Sequence, residues 1–104
     1  MADTMIVMYN LAEDQSESEF EQWLQDVDIP GYTKLKSMRN PAYYRASAPL
    51  GEGKAAPFKY TVVIEMDGPD AVEAEMDDPA WTSFIEDIES RIKDAHYVVA
   101  SRIF

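Results

Sequence analysis

The sequence contains no cysteine and a single histidine, His96. Disulfides, thiolate nucleophiles, zinc ribbons and iron–sulfur clusters are therefore excluded, and one imidazole leaves almost nothing for a transition-metal site. No apolar run approaches the roughly 20 residues a membrane-spanning helix needs, and no basic segment precedes the apolar stretch within Met1 to Tyr9. The expectation is a cytoplasmic protein with no metal, no cofactor and no membrane partner. Glycine (4) and proline (6) are too few for a collagenous or low-complexity chain. Basic residues are also scarce: nine against 20 acids give a net charge of −11, which repels nucleic acid and anionic lipid before contact. What remains is 104 residues, 46% hydrophobic and 28% charged, enough for one globular domain over residues 1–104 and too few for two.

The few bases are concentrated. Lys34, Lys36, Arg39, Arg45, Lys54 and Lys59 fall in one segment whose only acid is Glu52, leaving that segment about +5 and the rest about −16. Two readings follow: a solvated basic hairpin beside solvated acidic helices, or a cationic surface that receives an anionic or electron-rich ligand.

Thr4 to Asn10 is short, apolar and bounded by polar residues, as in a buried strand. Ser16 with Glu19 has capping-box spacing, and Phe20, Trp23, Leu24 and Val27 recur at helical intervals, predicting a helix from about Ser16 to Asp28 that Ile29-Pro30-Gly31 stops. Tyr32 to Arg39 reads as an extended edge segment, which Asn40-Pro41 breaks or bends. Tyr43 to Pro57 lacks periodicity and is the candidate mobile loop. In Phe58 to Asp67, Phe58, Tyr60, Val62, Ile64 and Met66 share one strand face, while Lys59, Thr61, Val63 and Glu65 share the other. A short helix follows Gly68-Pro69. Asp78-Pro79 opens another, whose apolar stripe is Trp81, Phe84, Ile85, Ile88 and Ile92, and Tyr97 to Ile103 closes the chain as a strand.

This order predicts an α+β, ferredoxin-like βαββαβ domain: a four-stranded antiparallel sheet with helices on one face. Val7, Val63, Val98 and several Met and Tyr residues supply more apolar strand surface than one helix layer hides, so the open face is expected to be buried against a second copy.

His96 titrates nearest neutrality and is the first candidate proton carrier, although a hydrogen-bonded strand-end histidine is the plainer reading. Glu65, on the polar strand face with Lys59 and Thr61, is a candidate base if kept dry; pairing with a neighbouring base is the alternative. Arg39, Tyr43, Tyr44 and Arg45 combine guanidinium forks with phenol rings, suited to holding a planar aromatic ligand, or else form a structural, partner-facing hairpin. Tyr9 adds a ring to the same substrate-binding set. A substrate-binding pocket is expected between the open sheet face and the Tyr43 to Pro57 loop, with Lys59, Thr61 and Glu65 meeting Arg39, Tyr43 and His96 on that face as its inner wall. Gly51-Glu52-Gly53-Lys54 is not a phosphate loop, since Ala48 and Ala55 stand where Gly and Ser/Thr are needed. Glu73, Glu75, Asp77 and Asp78 lack calcium-loop spacing, and Phe58 to Glu65 lacks the glycine-aromatic pattern of an RNA-recognition strand.

The segment Asp78-Pro79-Ala80-Trp81-Thr82-Ser83-Phe84 and the closing strand His96 to Phe104 resemble the dimeric α+β barrel superfamily. Tyr9-Asn10-Leu11, Phe20-Glu21-Gln22-Trp23-Leu24 and the Tyr43-Tyr44-Arg45 hairpin resemble the RedY-like HapK family, associated with biosynthesis of prodiginines, red tripyrrole pigments. That resemblance implies a homodimer and a role with an aromatic or pyrrolic intermediate: its cyclisation, condensation or tailoring, cofactor-independent monooxygenation, or service as a non-catalytic carrier or accessory subunit of a pathway enzyme. It carries no catalytic set with it. Superfamily relatives include cyclases, monooxygenases, isomerases and haem enzymes, so fold alone does not choose a reaction.

Overall fold

The computed structural model describes residues Asp3 to Phe104; Met1 and Ala2, the first of the expected domain, lie outside the described residues. The chain forms β1 (Asp3–Leu11), α1 (Glu17–Trp23), a π-helical turn (Leu24–Asp28), α2 (Ile29–Tyr32), β2 (Met38–Arg45), β3 (Tyr60–Met66), α3 (Pro69–Met76), a 3-10 turn (Pro79–Trp81), α4 (Thr82–Arg91) and β4 (Ile92–Ala100). The four strands pair antiparallel in the order β2-β3-β1-β4, which is the expected ferredoxin-like sheet. No helix among the described residues is long and apolar enough to cross a membrane.

Ser16 caps α1, its hydroxyl accepting from the Glu19 amide at 3.2 Å. The helix does not stop at Ile29-Pro30-Gly31 as expected. It passes through the π-helical turn, where the Ile29 amide reaches back five residues to the Leu24 carbonyl, and continues to Tyr32. The wider turn accommodates Pro30, which has no amide hydrogen to give and whose ring would crowd the carbonyl four residues earlier. The strand expected over Tyr32 to Arg39 lies further on, at β2. Asn40-Pro41 bends rather than ends it: Asn40 takes a left-handed conformation (φ 53°) and the pairing register with β3 shifts between Arg39 and Ala42. β4 begins at Ile92, directly after α4 and earlier than expected, because Ile92 turns from helix to extended backbone.

Strand alternation sorts the sheet into two faces. Met5, Val7, Tyr9, Tyr60, Val62, Ile64 and Met66 face the helices, where Phe20 and Ile64 are completely buried. Tyr9 stacks on Tyr60 with ring centres 5.6 Å apart, and Phe20 packs between them and Trp23. Val7, which the sequence reading placed among the surplus apolar surface, belongs to this core. Val63 and Val98 do lie on the uncovered face as expected, joined there by Ile6 and Met8 and brought side by side by the pairings Ile6–Val63 and Ile6–Val98. Trp23 docks α1 on α4: its indole N–H donates to Asp87 at 3.1 Å, and Arg91, also bound to Asp87, lies 4.7 Å over the indole ring.

Because Phe20 is wholly enclosed, Phe20→Ala is expected to cost about 3–5 kcal/mol of stability, whereas Leu50→Ala, at a 97% exposed position, stays within about 0.5 kcal/mol. Urea unfolding of the two variants checks the contrast.

Candidate functional site

Between the helix-facing side of the sheet and the helices lies a cavity of about 280 Å³. Its floor is sheet, with Val7, Tyr9, Tyr43, Val62 and Ile64; Asp28 and Tyr32 descend from the π-helical turn and α2. Val72 and Met76 of α3 and Phe84, Ile85 and Ile88 of α4 line the helix side, while Glu89 and the 58% exposed Tyr97 stand at the rim. The wall beside Leu35 is fastened by Glu75 of α3, whose carboxylate accepts from the backbone amides of Lys36 (2.9 Å) and Ser37 (2.8 Å). A larger, shallower groove of about 570 Å³ runs outside, between α1 and β2. Its charged groups are already engaged with one another: Arg45 pairs with Glu21, which also accepts from the Tyr60 hydroxyl.

One buried carboxyl dominates the polar character of the cavity. Asp28 is 5% exposed and accepts a short hydrogen bond from the Tyr43 hydroxyl. Burial pushes its acid form to persist above the usual carboxylate range, and the Tyr43 bond offsets this only in part. The hydroxyls of Tyr9, Tyr32 and Tyr43 are pushed up as well, first by burial and then by the Asp28 charge, so all three remain protonated donors. Tyr97 is raised by burial and by Glu89. An apolar chamber with phenolic donors around a single carboxyl can hold a flat ring and exchange a proton with it.

The profile described as REDY-like protein HapK matches residues 3–103. The chain belongs to the REDY-like HapK family. Among solved structures it resembles HapK from Hahella chejuensis at 22% identity and TM-score 0.77, over 97% of this chain and 92% of that one. It also resembles an ethyl tert-butyl ether d (ethd) family protein from Bacillus halodurans (17%, TM-score 0.71, 99% and 100% covered). A dimeric ferredoxin-like protein from Thermobifida fusca gives 20% and TM-score 0.66, with 98% and 92% covered. At these identities the likenesses establish the fold. No curated protein matches.

In this HapK-family chain only Tyr9 and Tyr43 of the sequence-predicted site residues reach the cavity. Strand alternation sends Arg39, Tyr44, Thr61, Glu65 and His96 to the opposite, uncovered face, so the expected convergence of Tyr43 with Glu65 and His96 there is corrected: the sheet stands between them. Arg39 is paired with Asp67, Arg45 with Glu21, and Lys59 with Glu17 at 3.1 Å. Three of the segment's six bases are thus held in pairs, while Lys34, Lys36 and Lys54 make no ion pair among the described residues. Glu65 accepts from the Asn40 side chain at 2.6 Å, and His96 meets Phe58 edge-on with ring centres 5.0 Å apart. The loop after Arg45 supplies no wall to the cavity; Asn10 ties its far end, accepting from the Lys59 amide and donating to the Pro57 carbonyl. Sequence reasoning missed Asp28, Tyr32 and Tyr97. The available signal was Pro30, since a proline inside a continuing helix changes which residues face inward.

The raised Asp28 value sets a pH dependence. The native state binds a proton that the unfolded chain releases, so the stabilisation is complete below the ordinary aspartate range and is lost as pH rises through the raised value. Asp28→Asn is therefore expected to gain stability relative to the unaltered chain on going from acid to neutral pH. Urea midpoints of both proteins across that range check this, and a pH-independent difference contradicts it.

Proposed function

We propose that this protein holds an aromatic or pyrrolic intermediate in the cavity between sheet and helices and assists its cyclisation, condensation or tailoring in the biosynthesis of a prodiginine-type pyrrole pigment. The observation that carries this reading is the apolar chamber in which a single buried carboxyl accepts from a tyrosine hydroxyl. Membership of the REDY-like HapK family supports the pigment-type pathway. Condensation and cyclisation of heteroaromatic rings need a proton taken from a ring nitrogen or an activated carbon. Asp28 is placed to accept it, and Tyr43 holds the carboxyl in orientation. The ring faces of Tyr9, Tyr32 and Tyr43 supply stacking area. Ring contacts alone also serve a non-catalytic carrier, which is the second reading.

Two measurements separate these. In calorimetric titration, indole and bipyrrole are expected to bind the unaltered protein and to lose binding in Ile64→Trp, which fills the chamber. With turnover followed on pathway intermediates, Asp28→Asn should lower the rate by about 10²-fold with affinity changed only a few-fold. His96→Ala, on the other sheet face, should leave both unchanged. Rates in all three proteins no higher than without protein would establish the carrier, and a loss confined to His96→Ala would move the chemistry to the open face.

The same reading includes a homodimer joined through the uncovered sheet face, where Ile6, Val63 and Val98 adjoin. The dimeric description of the Thermobifida fusca protein supports it. Sedimentation should give twice the chain mass at micromolar concentration, and Val63→Glu should give the monomer.

A further inference from the structure

Every charged side chain that lines the cavity is acidic. Asp28 lies inside and Glu89 at the rim, and among the described residues no lysine, arginine or histidine lines it. Arg45, Lys59 and Arg91 are committed elsewhere, to Glu21, Glu17 and Asp87, and Lys34 and Lys36, which flank the lining residue Leu35 in the chain, do not themselves line the cavity. Asp28 has no ion pair within 4.0 Å among the described residues, and its one side-chain hydrogen bond comes from a neutral hydroxyl. A carboxylate offers about four acceptor positions, so most of its capacity is free toward the chamber. A buried, unpaired charge is costly unless something of opposite sign meets it. Tyr9, Tyr32, Tyr43 and Phe84 line the cavity with aromatic rings, whose π-systems favour a cation over an anion. An anionic ligand would meet repulsion from Asp28 in a poorly screened interior, after approaching a molecule of net charge −11.

We propose that the cavity selects a planar nitrogen base in its protonated form, a heteroaromatic or amidinium-type cation, with the Asp28 carboxylate as its counter-charge. This rests on the cavity being the ligand site, and adds the charge of the ligand and the residue that reads it. It also reverses the expectation of a basic receptor for an anionic group: Arg39 and Arg45 are spent in surface pairs, and the receptor is the acid that sequence reading passed over.

Three bicyclic probes of matched size test it by calorimetric titration: N-methylquinolinium as the cation, methylnaphthalene as its uncharged isostere and naphthoate as the anion. The unaltered protein is expected to bind the cation at least about 10-fold more tightly than the isostere, and naphthoate most weakly. Asp28→Asn should bring the cation down to the isostere's affinity while leaving the isostere within about twofold, and Glu86→Gln, at an exposed position of α4 that does not line the cavity, should change either by less than about threefold. The ranking on the unaltered protein keeps the test decisive even if Asp28→Asn does not fold. Isostere binding as tight as cation binding, or naphthoate binding tightest, overturns the charge selection and leaves the aromatic site standing. Failure of all three to bind, or binding that survives Ile64→Trp, overturns the site itself.

Discussion

Pro30 has no amide hydrogen, and in an unbroken α-helix its ring would press on the Asp26 carbonyl one turn back. The chain relieves this with the π-helical turn from Leu24 to Asp28, which holds one residue more per turn than the sequence periodicity assumes. One extra residue rotates everything after it by about 100°. Val27, next in the apolar stripe of Phe20, Trp23 and Leu24, is therefore turned out to 39% exposure, and Asp28 is turned in. The tyrosine hydroxyl that meets it, the raised proton affinity and the acidity of the chamber all follow from that rotation. Without it the inward residue would be a valine and the chamber merely greasy.

Charge follows a different logic from the one its linear distribution suggests. Arg45 and Lys59 belong to the basic segment that starts at Lys34, yet the fold carries these two past helix α1, whose first turns supply Glu17 and Glu21 as partners. Such exposed pairs contribute little to stability. They remove guanidinium and ammonium groups from the pool available to a ligand, and the excess of acid is left to set the potential elsewhere. A basic segment in a sequence is therefore not a basic surface until its neighbours across the fold are known.

The fold was legible because it rests on period. Alternation in Tyr60 to Met66, the capping serine before α1 and the Asp78-Pro79 opening of the last helix each reported a local backbone choice that the packed structure keeps. The family resemblance was legible over nearly the whole chain for the same reason. The candidate site was legible only at Tyr9 and Tyr43. Conspicuous polar residues on strands attracted attention, but alternation put most of them on the far side of the sheet, whereas the decisive acid sat in a stretch read as the end of a helix. Periodicity cannot report a change of period made within it, and a single proline was the sole local sign.

Gly31 does not line the cavity, yet a methyl group there would come within 2.8 Å of the Phe84 ring edge. Phe84 is part of the chamber wall. The absence of a side chain on α2 thus fixes where an aromatic ring on α4 comes to rest, and with it the space left for a guest. The capacity of the chamber can consequently be retuned from a position that no ligand would ever contact, through a change of one carbon atom behind the wall rather than in it.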